Sequence, residues 1–211
     1  MTKTAHLWLF FLMVFGVVLL PGLDMAFVLA SALTGGRRAG LSAVGGIVLG
    51  GAFHVVAGVT GVAVLLQWLP GAFTALLWTG ALYVAWLGLS LLRGGAALAP
   101  TAAGSPRSPA ATFRQGALTN LLNPKAYLFM LAVFPQFLRP GYGPLWLQAL
   151  ALWALIALAQ VSVYGALALA ADRSRRWLTA HPAANAAAAR AVGGLLVLAA
   201  ALTALQGWRS P

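Results

Sequence analysis

Long apolar runs, interrupted by glycine, proline or arginine, set the pattern of this chain. Six can be marked: Leu7–Leu29, Leu41–Leu66, Phe73–Leu92, Gly116–Phe137, Leu145–Ala170 and Ala191–Gln206. Most reach the ~20 residues that a helix needs to cross the hydrocarbon core of a bilayer. The stretch "WLPGAF" (68–73) predicts a tight Pro-Gly turn between the second and third runs, and "LRPGYGPL" (138–145) separates the fourth and fifth. The Gly-, Ala-, Ser- and Pro-rich stretch 93–114 predicts a flexible central linker, and Asp172–Arg190 a polar, partly helical connection.

Basic residues fall at the ends of these runs. The loops after the first, third and fifth runs hold nine: Arg37, Arg38, Arg93, Arg107, Arg114, Arg173, Arg175, Arg176 and Arg190. The opposite side holds three, Lys3, Arg139 and Arg209. The bias of Lys and Arg toward cytoplasmic loops places the nine inside and both termini outside. The expected fold is therefore an all-α membrane protein of six transmembrane helices, arranged as two inverted three-helix repeats: a first half at 1–92, a cytoplasmic linker at 93–114 and a second half at 115–211. Three spans per half insert the halves in opposite senses, as in inverted-repeat transporters. Pro21 in "LLPGL" and Pro135 in "VFPQF" predict matching interruptions in the first helix of each half.

Composition agrees with this pattern. Of the 211 residues 62% are hydrophobic and 7% charged, whereas a soluble domain carries roughly 25% charged residues. The absence of cysteine excludes disulfides and thiol chemistry. The net charge of +11 comes with no basic stripe interleaved with aromatics, so it points to membrane topology and not to nucleic acid. The N-terminal run continues past Asp24 without a small-residue cleavage site before Pro21, and is expected to be a retained first helix.

Few residues could carry chemistry. Asp24 is the one acid inside an apolar run, and it follows Pro21 and Gly22. Proline leaves a carbonyl without its partner one turn back, and a lone intramembrane acid can exchange protons. The other reading of Asp24 is an interfacial cap. Lys125 lies near the middle of the fourth run, where "NPK" breaks the helix, at a depth similar to that of Asp24. Either it snorkels to the headgroups, or it shares an ion pair or a water cavity with Asp24, which makes each charge cheaper to bury. Asn120 and Asn123, one turn apart, could bind a polar substrate or serve as interhelical glue. Gln136, Gln160, Ser162 and Tyr164 are weaker candidates of that kind. His54 follows Gly46-x3-Gly50, a close-packing face; it is either a packed neutral histidine or part of a proton relay. H-E-x-x-H and G-x-S-x-G are absent, and His6, His54 and His181 lie in separate elements. No enzyme, metal or cofactor is expected.

Two blocks of this chain resemble the LysE/RhtB family of bacterial amino-acid exporters. One is "PGLDMAFVLASALTGGRRAGLSAVGGIVLG" (21–50) and the other "FRQGALTNLLNPKAYLFMLAVFPQF" (113–137). One departure stands out: the family usually has a second proline where this chain has Leu23, while Asp24 remains. The resemblance implies a multi-pass protein of the bacterial inner membrane that moves amino acids or close derivatives out of the cytoplasm, driven by the proton gradient. Its partners would be the substrate, protons and the lipid bilayer, with a homo-oligomer allowed. A pathway would run past Pro21, Gly22, Asp24, His54, Asn120, Asn123, Pro124, Lys125 and Gln136. A metal-cation exporter of related architecture, and a membrane enzyme or scaffold, are the rival readings.

Overall fold

The computed structural model describes residues 2–60, scattered positions between 75 and 93, and residues 108–209. The expected turn at 68–73 and the linker positions 94–107 lie outside the described residues. The described residues are mostly helical, with no strand among them. Helix α1 spans Lys3–Leu19 and α2 spans Leu23–Val59; the described positions between 75 and 93 are helical. Then follow α3 (Pro109–Leu121), α4 (Pro124–Ala132), two 3-10 turns at Phe134–Phe137 and Pro140–Tyr142, α5 (Leu145–Ala180) and α6 (Pro182–Arg209).

Among the described residues two helices, Leu23–Val59 and Leu145–Ser174, are by length and composition apolar enough to cross a membrane. The bent pair Pro109–Leu121 and Pro124–Phe137, at 53° to one another, counts as a third if it forms one span. Large apolar side chains such as Trp8, Leu12, Leu82 and Trp146 face outward. In water such a surface would drive aggregation; in lipid it is the solvated face.

Helix α2 is not a straight rod. Gly36 adopts φ 74° and ψ −171°, a left-handed conformation that glycine reaches without steric cost. Beyond it, a Cβ on Gly40 would lie 2.8 Å from the Cβ of Ala32. Eight residues of straight helix rise ~12 Å, so the arms 23–35 and 37–59 fold back on each other. Asp172 of α5 secures this turn by accepting the Arg37 backbone N–H at 2.9 Å. The turn separates the first two apolar runs where the sequence pattern places a loop, but it is a single residue.

Small residues set how closely the helices pack. A Cβ on Gly46 would collide with the Phe113 carbonyl oxygen, and one on Gly116 would lie 2.5 Å from the Ala43 carbonyl oxygen. The arm 37–59 and α3 therefore touch backbone to backbone, as the Gly46-x3-Gly50 face predicts. At the other end of the bundle, fully buried Phe10 meets Phe129, Phe134 and Phe137 with ring centroids 5.0–6.4 Å apart.

The fourth run breaks beside Lys125, where α3 ends at Leu121 and α4 begins at Pro124. Pro135 sits in the 3-10 turn that follows the end of α4 at Ala132. One expectation is corrected: the linker is shorter than expected, because α3 begins at Pro109, capped by the Ser108 hydroxyl, which accepts the Ala111 N–H. Proline at the first helical position, preceded by serine, is a favoured helix start.

Candidate functional site

Both proline breaks leave a carbonyl without its helical partner. Pro21 has no N–H for the Val17 carbonyl four residues back, and Pro124 has none for Asn120. The turn tightens locally in each case: Leu20 N–H reaches Val17 O at 3.3 Å and Asn123 N–H reaches Asn120 O at 3.0 Å. A side chain from elsewhere completes each break. Lys125 Nζ donates to Val17 O and Leu20 O, both at 3.0 Å. His54 Nε2 donates to Asn120 O at 2.9 Å. Since a carbonyl only accepts, Nε2 carries the hydrogen and Nδ1 is the acceptor of the neutral ring. The His54 ring also stands edge-on to Tyr127, centroids 4.4 Å apart.

Between the breaks lies a cavity of about 50 Å³, whose walls include Asp24, His54, Asn120, Asn123, Lys125 and Tyr164. Such a volume has room for a few waters. Asp24 stands in the first turn of α2 and is 3% exposed. Its Oδ2 accepts from Asn120 Nδ2 at 2.8 Å, while Oδ1 is buried without a partner. The Asn123 amide faces the same carboxylate outside hydrogen-bond geometry, and its Nδ2 is also unpartnered. Asn123 Oδ1 caps α4 by accepting the Lys125 backbone N–H at 3.0 Å. The Asn120 Oδ1 and Gln160 Oε1 atoms are buried and unpartnered as well. Buried polar groups are normally paired, so this concentration of open donors and acceptors around one cavity marks a site for a polar guest.

The fold thus brings together Asp24, His54, Asn120, Asn123 and Lys125. Pro21, Gly22 and Pro124 shape the breaks beside them. Gly22 is packed against the ammonium: a Cβ there would lie 3.2 Å from Lys125 Nζ. Gln136 is exposed on the 3-10 turn and does not line the cavity. Lys125 and Asp24 share the cavity, but the ammonium is held by carbonyls; among the described residues no ion pair joins the two. The sequence pattern ranked Tyr164 and Gln160 low and passed over Gly51, all of which line the cavity. A polar face on the fifth run, Gln160 and Tyr164 one turn apart, was the available signal. Among the described residues no group of three or more His, Cys, Asp or Glu side chains comes together.

Comparison with known proteins finds relatives over most of the chain. The chain is 36% identical over 172 residues to a membrane protein of Vibrio cholerae, covering 81% of this chain and 83% of the relative. It is 29% identical over 184 residues to the homoserine/homoserine lactone efflux protein of Salmonella typhimurium, covering 87% and 88%. It is 33% identical over 142 residues to the threonine efflux protein of Salmonella typhi, covering 65% and 66%. No solved structure matches it. The model of the LysE type translocators matches residues 9–207, and the chain belongs to that family.

Proposed function

We propose that this protein exports amino acids or close derivatives from the bacterial cytoplasm across the inner membrane in exchange for protons. The observation that carries the reading is the cavity, which exposes a half-satisfied carboxylate and a half-satisfied ammonium to the same small volume. Asp24 Oδ1 lacks a donor. Lys125 Nζ has three N–H groups and places two on carbonyls. A zwitterion supplies the complements: its ammonium to Asp24, its carboxylate to the remaining N–H of Lys125. The efflux proteins of Salmonella to which the chain is similar are named for homoserine, its lactone and threonine, and homoserine and threonine are such zwitterions.

Coupling follows from competition for one carboxylate. Ionised Asp24 attracts the substrate ammonium; protonated Asp24 does not. A proton taken up from outside releases substrate there, and a proton lost inside restores the site. Asp24→Asn should abolish efflux driven by a pH gradient in proteoliposomes while leaving the yield of folded protein near wild type. Full gradient-driven efflux in that variant would remove Asp24 from the mechanism.

In this reading six spans form two inverted halves with both termini outside, and the cytoplasmic linker joins them. The nine-to-three division of basic residues supports it. So does the reciprocity of the breaks, in which a donor from each half completes the broken helix of the other. Cysteines introduced at Thr2 and Ser108 test the orientation in intact cells. An impermeant reagent should label position 2 and spare 108; the reverse pattern would invert the topology.

A further inference from the structure

Gly51 differs from Gly40, Gly46 and Gly50 of the arm 37–59. At Gly40, Gly46 and Gly50 an added Cβ would collide with a neighbouring helix, at 2.8 Å from Ala32 Cβ, against the Phe113 carbonyl, and at 2.6 Å from Asn120 Oδ1. At Gly51 it would meet nothing closer than Gln160, 3.5 Å from Oε1 and 3.7 Å from Nε2, with the Ile156 methyl at 3.9 Å. Those are ordinary contacts, and Gly51 has no left-handed backbone that would require glycine. Glycine inside a helix is less stable than alanine, so its absent methyl is not explained by packing or by conformation. What the missing methyl leaves is a methyl-sized gap in the cavity wall.

Across that space stands Gln160, 6% exposed, with Oε1 buried and unpartnered. An amide held this way, facing the cavity with a buried oxygen that no described residue satisfies, has the placement of a ligand-binding group. Beside it, Ile156 also lines the cavity and offers an apolar surface. We propose that Gly51 and Gln160 form the subsite for the substrate side chain, Gly51 by leaving room for it and Gln160 by hydrogen-bonding a hydroxyl on it. The inference rests on the amino-acid export reading and adds the residues that select among substrates. It favours a small hydroxylated side chain over its hydrocarbon isostere, because an unpaired amide facing a methyl group remains unsatisfied.

Threonine and valine are nearly isosteric and separate the two terms. Full-length protein is reconstituted in proteoliposomes and kcat/KM is measured for threonine, valine and alanine in wild type, Gln160→Met and Gly51→Ala. Wild type should prefer threonine over valine by about tenfold or more, the worth of one hydrogen bond. Gln160→Met should collapse that ratio toward one. Gly51→Ala should raise KM for threonine and valine several-fold more than for alanine. A wild-type ratio near one, or a ratio that Gln160→Met leaves intact, overturns the role of Gln160. An equal loss for all three substrates in either variant assigns that residue a structural role instead. If Gln160→Met fails to accumulate, Gly51→Ala decides alone, since its added methyl meets no clash. Wild-type protein that moves no amino acid at all overturns the export reading itself, whereas export with unchanged selectivity overturns only the subsite.

Discussion

At Pro21 and at Pro124 the chain loses the same hydrogen bond, yet different bases from opposite halves of the molecule replace it. Lys125, in the second half, holds two carbonyls of the first half, Val17 and Leu20. His54, in the first half, holds one carbonyl of the second, that of Asn120. The lysine has three donors and uses two there, so it can complete a break and still face the cavity. The neutral imidazole has one N–H and uses it. The first break can therefore present a charge to a guest, while the second serves mainly to hold Asn120, whose amide in turn orients the Asp24 carboxylate. A base beside a broken helix is here first a substitute for a missing backbone N–H.

This contrast can be broken experimentally. The largest effect is expected for Lys125→Met, which removes the two charge-assisted bonds to Val17 O and Leu20 O. It should lower stability in detergent by about 2–3 kcal/mol. Adding Pro21→Ala restores an N–H for Val17 and should recover part of that loss, whereas adding Asp24→Asn should recover less than about 1 kcal/mol, since no ion pair joins the two side chains. Thermal unfolding of the full cycle measures both couplings. Rescue by Asp24→Asn but not by Pro21→Ala would reinstate a direct Asp24–Lys125 pair.

His54→Leu removes one neutral bond and should cost less, about 1–2 kcal/mol, with part of it regained in combination with Pro124→Ala. A loss as large as that of Lys125→Met would mean that the two breaks are equivalent. Smallest is the effect of Gly22→Ala. Its backbone is extended, a conformation open to any residue, and the new methyl meets only the far end of a flexible lysine. A change below about 1 kcal/mol is expected by the same unfolding measurement; a larger one would show the ammonium to be fixed more tightly than its two hydrogen bonds imply.

The residues themselves carried much of the site. An acid, a lysine and two asparagines inside apolar runs are too costly in lipid to be incidental, and prolines beside them announce free carbonyls. The all-helical architecture followed from run length and composition, and the Gly46-x3-Gly50 face from side-chain size. Fold-back at Gly36 was not legible, because glycine in a membrane helix is compatible with both close packing and a turn. Pro124 beside Lys125 announced the break between Leu121 and Pro124, but not which donor completes it, since only packing brings His54 to the Asn120 carbonyl.

What the sequence by itself determined is which groups must be buried: local chemistry prices each charge and each missing N–H without reference to any neighbour. Only the tertiary structure decided who satisfies whom. Lys125 reaches Val17 and Leu20, more than a hundred residues away in the chain, and bonds their carbonyls in place of the Asp24 carboxylate. Gln160 is set opposite Gly51 by the contact of α5 with α2. Partner choice depends on helix rotation and depth, and these are set by backbone contacts at small residues such as Gly46 and Gly116, where a single added methyl would change the register of every polar group in the cavity.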